Sequence, residues 1–336
     1  MPASARVVIV GSLNVDSTSY VETFPAPGET ILSHGFQVAL GGKGSNQAVA
    51  AHVVGASVDL VARVGSDAAG DFAIATLERF GVPTTAVARE TDAPTGVAQI
   101  TVADSGENTI IVTGGANLAL TPAVVDAEHE RLAAASVVLT QGELPVPTIE
   151  RIAEVAAESG VRFVLNLAPP APVSAATLRS ADPLVVNEHE ARAVGIAPAA
   201  DRHGLDEGAA DAAGGPLDAW RAAAASAVGR VARSIVVTLG SAGAVAASAD
   251  DSWTAPAPHV DAVDTTGAGD GFTGALAAML AEGRSLDEAV RVAVAAGALA
   301  VQARGTVDSD AGREAVLRAA GLDSAPPAGD EPEGSA

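Results

Sequence analysis

The sequence predicts a doubly wound α/β fold with a small β-sheet lid, and three observations lead to this prediction. Short apolar runs alternate with Ala-rich helical stretches through most of the 336 residues. The runs are rich in β-branched residues and show little polar alternation, which is typical of strands buried on both faces of a parallel sheet. Two further segments do alternate apolar with polar residues, which predicts strands that keep one wet face. A β-then-α order of this kind favours right-handed crossovers in one open sheet.

Seven strands and seven helices are expected in the main body, and no internal repeat is visible. The strands are Arg6–Gly11, Val58–Val64, Ser136–Thr140, Arg162–Asn166, Leu184–Val186, Ser234–Leu239 and Ala244–Ala247. The helices are Ser45–Val54, Gly70–Phe80, Val146–Ser159, Glu188–Val194, Leu217–Val231, Gly269–Glu282 and Leu286–Val301.

The two alternating segments, about 16–40 and 96–112, are predicted to form the lid. The first contains the short pieces Thr18–Val21, Thr30–Ser33 and Phe36–Leu40. The second predicts a hairpin, with Val97–Ala103 and Asn108–Val112 on either side of the turn Asp104–Glu107. Because each piece has one wet face, we expect a small antiparallel sheet that stands off the body and covers a cleft.

The domain organisation follows from the same pattern. Residues 1–321 are predicted to form one domain. Residues 197–216 are rich in Ala, Gly and Asp without a period, which indicates a surface loop insertion. Residues 322–336 have the composition of a disordered tail.

Composition excludes several classes of function. Lys and Arg number 19 against 41 Asp and Glu, which gives a net charge of −22. A field of that sign repels nucleic-acid phosphates and anionic lipids, so neither is expected as a partner. The absence of cysteine excludes disulfides, thiol catalysis and Cys-based metal sites. The short apolar run before Gly11 predicts no signal peptide, and we expect a cytoplasmic protein.

The segment Asp264–Asp270, with the sequence DTTGAGD, is the strongest candidate for chemistry. A Gly-rich turn that enters a helix exposes backbone N–H groups, and the helix dipole adds positive charge there. Such a site stabilises a transferring phosphoryl group, and Asp270 beside it is placed to take a proton from an attacking hydroxyl. The alternative is that Asp270 only caps the helix. The formal match Gly269-x-Gly271-x-x-Gly274 to a dinucleotide fingerprint is weak, because no strand runs directly into these glycines.

A second Gly-rich turn, Gly41–Gln47, opens the first predicted helix. It is not a Walker P-loop, because Lys43 is followed by Gly instead of Ser or Thr. Lys43 is the only lysine of the chain, and the Asn46 amide offers both a donor and an acceptor. The alternative is a tight turn with a solvated lysine.

Polar residues also follow other predicted strands. Asn14 and Asp16, after the first strand, suit the vicinal hydroxyls of a polyol, although an Asx turn is the commoner cause of this spacing. Asn187 and Glu190 begin a helix and could hold a hydrated Mg²⁺, and a capping box is compatible with that role. Thr238–Gly243 is by itself a Gly-rich turn. The six histidines show no metal-ligand spacing, and no G-x-S-x-G element is present.

In their order, these motifs resemble those of the ribokinase family of sugar kinases. The motifs are GSLNVD, GGKGSNQA, TGVA, NEHE, TLGSAG and DTTGAGD, and the resemblance extends from about Val7 to Ser309. It implies a three-layer α/β/α body with a mostly parallel sheet and a β-sheet lid. It also implies ATP-dependent phosphorylation of a sugar's primary hydroxyl, with ribose as the leading substrate. Because exposed lid edges would be covered by pairing, we also expect a homodimer formed through the lid.

The resemblance implies a role for individual residues. Asp270 would be the base, with Gly267, Ala268 and Gly269 as the anion hole. The sugar would contact Asn14, Asp16, Gly42, Lys43, Asn46, Glu143 and Asp270. ATP would contact Asn187, Thr238, Gly240, Ser241, Gly243 and Gly269, with Glu190 acting on Mg²⁺ through water. K⁺ would be held by Asp264, Thr266, Ala300, Ala303, Gly305 and Ser309.

Two other functions stay open at this point. One is a kinase of another sugar or nucleoside on the same fold, such as fructose, deoxyribose or adenosine. The other is a sugar-binding regulator without turnover, against which the presence of Asp270 with intact glycines argues.

Overall fold

The computed structural model describes residues 5–199, 215–302, 305, 307 and 311–322. The strands in chain order are β1 (Arg6–Val10), β2 (Asn14–Val21), β3 (Gly35–Gly41), β4 (Ser57–Gly65), β5 (Val87–Glu90), β6 (Gly96–Ala103), β7 (Asn108–Thr113), β8 (Val137–Gln141), β9 (Arg162–Asn166), β10 (Leu184–Asn187), β11 (Ile235–Thr238), β12 (Ala244–Ala247) and β13 (Ser252–Ala255). The helices are α1 (Lys43–Val53), α2 (Ala68–Arg79), α3 (Pro122–Ala127), α4 (His129–Ala133), α5 (Val146–Glu158), α6 (Ala175–Ser180), α7 (Glu188–Ala193), α8 (Gly215–Ala227), α9 (Ala268–Ala281), α10 (Leu286–Ala300) and α11 (Arg313–Ala319).

The main sheet has nine strands in the order β13-β12-β11-β10-β9-β8-β1-β4-β5. Seven of them are parallel, and β12 and β13 are added antiparallel at one edge. Strand β1 has β4 on one side and β8 on the other, so the chain leaves it in opposite directions. Ligands of open α/β sheets bind outside the carboxyl ends of the strands at such a reversal point.

Alternate residues of the strands face two separate helix layers. In β1, Val7 and Ile9 pack with α1, α2, α9, α10 and α11. Val8 and Val10 of the same strand pack with α3, α4, α5, α7 and α8. All four side chains are fully buried, as expected for a parallel strand with helices on both faces. The predicted three-layer, doubly wound and mostly parallel architecture is therefore confirmed.

The second sheet has the order β3-β2-β6-β7 and differs from the prediction in three ways. It starts at Asn14, so Asn14 and Asp16 lie within a lid strand rather than in a turn after β1. Strands β2 and β6 pair in parallel, so the sheet is mixed instead of antiparallel. Thr30–Ser33 is not a strand, because the register of β3 against β2 begins at Gly35 and leaves 22–34 without a partner strand.

Other differences concern short elements and ends. Strands β5 and β13 and helices α3, α4, α6 and α11 were not predicted. Of the predicted insertion 197–216, residues 200–214 lie outside the described ranges, while Gly215 and Pro216 open helix α8 instead of ending a loop. Of the predicted tail, only Leu322 is described. No helix in the described ranges is long and apolar enough to cross a membrane.

Candidate active site

The chemistry-bearing side chains meet where β1 enters the lid and where α1 and α9 begin. Asp270 lies in the first turn of α9 and is 7% exposed. Its Oδ1 accepts a hydrogen bond from Gln47 Nε2 at 2.9 Å, and its Oδ2 accepts one from Asn46 Nδ2 at 3.1 Å. Both oxygens of the carboxylate are therefore held by amide donors of α1.

A close crossing of the two helices makes this contact possible. One turn after Asp270, a Cβ on Gly274 would lie 2.5 Å from the backbone oxygen of Gln47 and 2.7 Å from the Ala50 side chain. Any side chain at 274 would push α1 away from α9. The third glycine of the formal dinucleotide match thus serves helix packing, and the match does not indicate a nucleotide fold of that kind.

Lys43, the first residue of α1, is surrounded by carboxylates. Its Nζ lies 3.9 Å from Asp270 Oδ1, and its backbone N–H donates to Glu143 Oε2 at 3.0 Å. The charge of Asp270 raises the pKa of Lys43 against the opposing effect of burial, with Glu143 and Glu190 adding to the increase. The solvated lysine considered from the sequence is therefore wrong, because this ammonium balances several acidic groups of the cleft.

The turn before α1 is tight against strand β2. Gly42 is the N-cap of α1 and has φ +87°, and a Cβ there would lie 2.8 Å from the Asn14 nitrogen. At Gly41, a Cβ would overlap the Asp16 carboxylate, 1.9 Å from its Oδ1. The paired glycines let the turn approach both candidate sugar ligands directly.

Asn14 is oriented by a residue that the sequence did not single out. Asn117 Nδ2 donates to Asn14 Oδ1 at 2.7 Å, and Asn117 Oδ1 accepts from the Leu13 N–H at 2.9 Å. Asn14 therefore presents its amide nitrogen to other acceptors, because its carbonyl oxygen is already engaged. The sequence did not single out Ser12 either, whose hydroxyl donates to Glu143 Oε2, the oxygen that also accepts from the Lys43 N–H.

Asp16 contrasts with these satisfied groups. Its Oδ1 is buried and has no hydrogen-bond partner among the described residues. Burial, with the charges of Glu143 and Asp270, raises the pKa of Asp16 from 3.8 to about 7. Asn46 Oδ1 is likewise buried without a partner in the described part of the chain. Two acceptors of the candidate site thus have unused hydrogen-bonding capacity, which is what a hydroxylated ligand needs.

The loop before α9 contains the residues predicted to form the anion hole. Gly267 is the N-cap of α9 with φ +80°, and its carbonyl accepts from the N–H groups of Asp270 and Gly271 at 2.9 and 2.8 Å. The Ala268 N–H donates to Thr265 O at 3.3 Å. A Cβ on Gly269 would meet no atom within 4 Å, so open space adjoins the first turn of the helix.

The residues predicted for ATP and Mg²⁺ lie on two neighbouring strands. Asn187 ends β10 and is the register partner of Thr238 at the end of β11. Asn187 Oδ1 accepts from the Glu190 N–H at 2.9 Å, and Glu190 Oε2 accepts from the Asn187 N–H at 2.8 Å. The capping box is therefore confirmed. Burial raises the pKa of Glu190, while the Asn187 N–H and Lys43 oppose that rise.

The turn after β11 is open to solvent on its ligand-facing part. Gly240 and Ser241 are exposed and form a short 3-10 turn with Ala242. Gly243 is buried, and a Cβ on it would lie 2.1 Å from Ala255 O of β13. Gly243 therefore packs against the sheet edge, while Gly240 and Ser241 can approach a ligand.

Four of the six residues predicted for K⁺ lie in described parts of the chain, and Ala303 and Ser309 lie outside them. Asp264 Oδ1 accepts from the Thr266 N–H at 2.9 Å, and its Oδ2 accepts from the Gly305 N–H at 3.2 Å. Ala300 ends α10, and the next residue, Val301, accepts the Asp264 N–H at 3.1 Å. The structure thus brings the loop before the anion site next to the segment after α10.

Sequence reasoning missed the buried amides beneath the site. Gln47, Gln141 and Asn166 are linked to one another and to Asp270 by hydrogen bonds. The available signal was a glutamine inside α1, where the following residues are small and apolar. Its partners are 94 to 223 residues away, so no local pattern identifies them.

Comparisons with known proteins find carbohydrate kinases that match most of the chain. The family model of the pfkB family carbohydrate kinases matches residues 4–311. The chain is 34% identical to a ribokinase of Haemophilus influenzae over 311 residues, 93% of this chain and 97% of the relative. It is 32% identical to a deoxyribokinase of Salmonella typhi over 307 residues, 90% of this chain and 94% of the relative. A solved structure of Arabidopsis thaliana ribokinase complexed with ribose and ATP superposes with a TM-score of 0.83 at 31% identity, over 95% of this chain and 100% of that one.

Proposed function

The chain belongs to the pfkB family of carbohydrate kinases, and from this premise we propose that it transfers the γ-phosphoryl group of ATP to the 5-hydroxyl of D-ribose. The observation that carries the proposal is the cluster around Asp270, where a buried carboxylate fixed by Asn46 and Gln47 adjoins an open helix N-terminus. The product would be ribose 5-phosphate, with ADP released.

The proposed reaction uses each part of the cluster once. Asp270 accepts the proton of the 5-hydroxyl as its oxygen forms the bond to the γ-phosphorus. The bond between that phosphorus and the β–γ bridging oxygen breaks, and the electron pair leaves with ADP. The N–H groups of Gly267 and Gly269 at the start of α9, joined by that of Ala268 when it leaves Thr265 O, stabilise the charge on the transferring group.

Ribose is favoured because a carboxylate acceptor and an amide donor in the lid strand suit two adjacent hydroxyls. Asp16 and Asn14 lie two residues apart in β2, so both side chains point to the same face of the lid. Gly42, Lys43, Asn46 and Glu143 would complete the sugar site. A 2-deoxyribose kinase is the second candidate, since one relative carries that name. Asn187, Thr238, Gly240, Ser241, Gly243 and Gly269 would contact ATP.

A coupled assay of ADP release across ribose, 2-deoxyribose, fructose and adenosine tests the proposal. We expect the highest kcat/KM for ribose. The value for 2-deoxyribose should be lower, because the polar groups that bind the 2-hydroxyl would be left without a partner. Higher kcat/KM for 2-deoxyribose would assign the second candidate. No ADP release with any of the four would overturn the kinase proposal.

Mg²⁺ would reach this site with the nucleotide. No cluster of three potential metal-ligating side chains exists among the described residues, so these residues form no all-protein cage. Glu190 keeps one oxygen on the Asn187 N–H and would contact the ion through water. The ion would neutralise charge on the phosphates when bound.

K⁺ would lie beside the anion loop. Asp264 accepts hydrogen bonds from the Thr266 and Gly305 N–H groups, which supports this proposal. Carboxylate and carbonyl oxygens suit this cation, and Ala300, Ala303 and Ser309 complete the proposed set. The cation would fix the loop that aims the N–H donors. We expect kcat to rise with K⁺ at constant Mg²⁺ and much less with Na⁺; equal rates in both salts would contradict the site.

A homodimer through the lid completes the proposal, and its location is expected to be cytoplasmic. Ile110 and Val112 of the edge strand β7 are more than half exposed. Their register partners, Ile100 and Ala98, put them on the face of the lid that carries Asp16. A second lid would cover these side chains and the open strand edge. Light scattering should give a dimer that Ile110→Glu disrupts.

A further inference from the structure

Gln47 holds the catalytic aspartate from below the cleft, and this contact is assigned by none of the motifs. The side chain is fully buried between α1 and the ends of β8 and β9. Its Nε2 carries two hydrogens, and the structure gives each an acceptor: Asp270 Oδ1 at 2.9 Å and Asn166 Oδ1 at 2.9 Å. Gln47 therefore has no donor left for a substrate.

The orientation of the Gln47 amide is itself fixed by its neighbours. Gln141 Nε2 donates to Gln47 Oε1 at 2.8 Å, so this oxygen accepts and cannot exchange places with Nε2 without losing the bond. Asn166 Nδ2 donates to the Val185 carbonyl of β10 at 3.2 Å, which leaves Asn166 Oδ1 as the acceptor for Gln47. A backbone carbonyl of the sheet thus sets the direction of the whole chain of amides.

We propose that Gln47, locked by Gln141 and Asn166, is the positioning residue of Asp270, and that it keeps the carboxylate aimed at the sugar hydroxyl. The inference rests on the proposed function, because it needs Asp270 to act as the base. Gln47 acts on the reaction only through Asp270.

A competing contact explains why the base needs this support. Lys43 Nζ lies 3.9 Å from Asp270 Oδ1, farther than a direct hydrogen bond. An unheld carboxylate would turn toward this ammonium and shorten the ion pair, which would remove the acceptor from the hydroxyl. Gln47 occupies Oδ1 from the sheet side, and Asn46 holds Oδ2 at 3.1 Å, so the carboxylate plane is fixed before the substrate arrives.

The test replaces the Gln47 amide with a thioether of similar length, Gln47→Met. Because misplacing a reacting group by about 1 Å costs up to about 100-fold, we expect kcat to fall about 10- to 100-fold. The KM values for ribose and ATP should stay within about threefold, since the residue has no donor left for a substrate. Thr148→Val is the matched control: it removes the buried hydrogen bond that Thr148 of α5 donates to the Leu120 carbonyl, and it should lower stability without this loss of kcat.

A double-mutant cycle separates positioning from a general loss of structure. In an Asp270→Ala background, Gln47→Met should cause no further loss of the residual turnover, because the group it positions is absent. An equal loss in both backgrounds would overturn the inference. If Asp270→Ala loses turnover and Gln47→Met keeps wild-type kcat, the inference fails and the proposed function stands. If Asp270→Ala itself keeps wild-type turnover, the proposed base fails first.

A second variant covers the case in which Gln47→Met does not fold. Gln141→Leu removes the donor to Gln47 Oε1. Gln47 keeps its contact with Asp270, but its amide group becomes free to rotate. We expect a smaller loss of kcat, again absent in the Asp270→Ala background. Unchanged kcat in folded Gln141→Leu, with Gln47→Met unfolded, would count against the proposal.

Discussion

The two aspartates of the cleft, Asp270 and Asp16, are prepared in opposite ways. Asp270 has an amide donor on each oxygen, and those donors belong to a helix packed tightly against its own. Asp16 lies in a lid strand, its Oδ1 is buried without a partner in the described residues, and its pKa is raised to about 7 by burial and by the charges of Glu143 and Asp270.

This difference fits the roles proposed for the two residues, the base for Asp270 and sugar binding for Asp16. A group that takes part in the chemical step gains from being fixed beforehand, because reorganisation at the moment of reaction adds to the barrier. A group that binds substrate can wait for its partners, since the ligand hydroxyls supply the missing hydrogen bonds. The buried Asp16 Oδ1 has no partner among the described residues, so a ligand hydroxyl that donates to it would relieve an unfavourable state of the empty site.

Removing the fixed carboxylate should have the largest effect. Asp270→Asn keeps the size of the side chain, so the fold and sugar binding should remain, while kcat falls by about two to four orders of magnitude, the range for a lost general base. Steady-state kinetics and ribose titration by calorimetry measure the two quantities. Turnover near the wild-type value would remove Asp270 from the mechanism.

Removing the Asp16 carboxylate should weaken ribose binding more than it lowers kcat. Because a hydrogen bond to a charged group contributes about 1.5–3 kcal/mol, Asp16→Asn should weaken ribose binding by about 10- to 100-fold. In the wild type, affinity should rise as the pH passes through about 7 and Asp16 ionises. In Asp16→Asn this dependence should disappear. Calorimetry between pH 6 and about 8 checks both statements, and identical pH profiles would contradict them.

The same pKa shift has a consequence for stability. The folded chain holds the Asp16 proton up to about pH 7, whereas the unfolded chain releases it near 3.8. The folded state therefore binds more protons across this interval, and the contribution of Asp16 to the unfolding free energy falls as the pH rises through it. Asp16→Asn lacks this contribution, so the melting temperature of the variant should rise relative to that of the wild type as the pH increases from about 4 to about 7. A constant difference would refute the shift.

The smallest effect is expected at Asn117, which orients Asn14 of the proposed sugar site and has no contact with Asp270. Asn117→Leu frees the Asn14 amide, and we expect KM for ribose to rise about two- to tenfold, the value of one or two ordinary hydrogen bonds. The kcat should be unchanged, because the Asp270 contacts do not involve this residue. A fall in kcat with constant KM would instead indicate that Asn117 helps to position Asp270.

The parallel core could be predicted from sequence because its signal is local. Runs such as Val7–Val10 are apolar on both faces and can only be buried. Strands β5 and β13 have four residues each with polar or charged members, and they exist because β4 and β12 offer an edge to pair with. Thr30–Ser33 shows the reverse case, in which alternation is present but no strand lies beside it.

The candidate site shows the same division between residues marked by a local pattern and residues defined by distant contacts. Asp270, Lys43 and Asn46 were identified because glycines mark the turns that carry them. Gln47 adjoins Asn46 in the same motif and was not assigned a role, since its importance lies in contacts with Asn166 and Asp270, 119 and 223 residues away. The lid position of Asn14 and Asp16 also depends on a distant partner, because β2 is defined by its pairing with β3 and β6.

The solitary lysine has a practical consequence for labelling. The chain contains two kinds of primary amine, the α-amino group and Lys43, and the outer surface carries no lysine. Asp270 raises the pKa of Lys43 and keeps it in the unreactive ammonium form. Acylating reagents at neutral pH should therefore attach at the α-amino group, whose ordinary pKa is about 8. A fluorophore or a solid support can be coupled there in a single orientation, with the cleft left chemically unmodified.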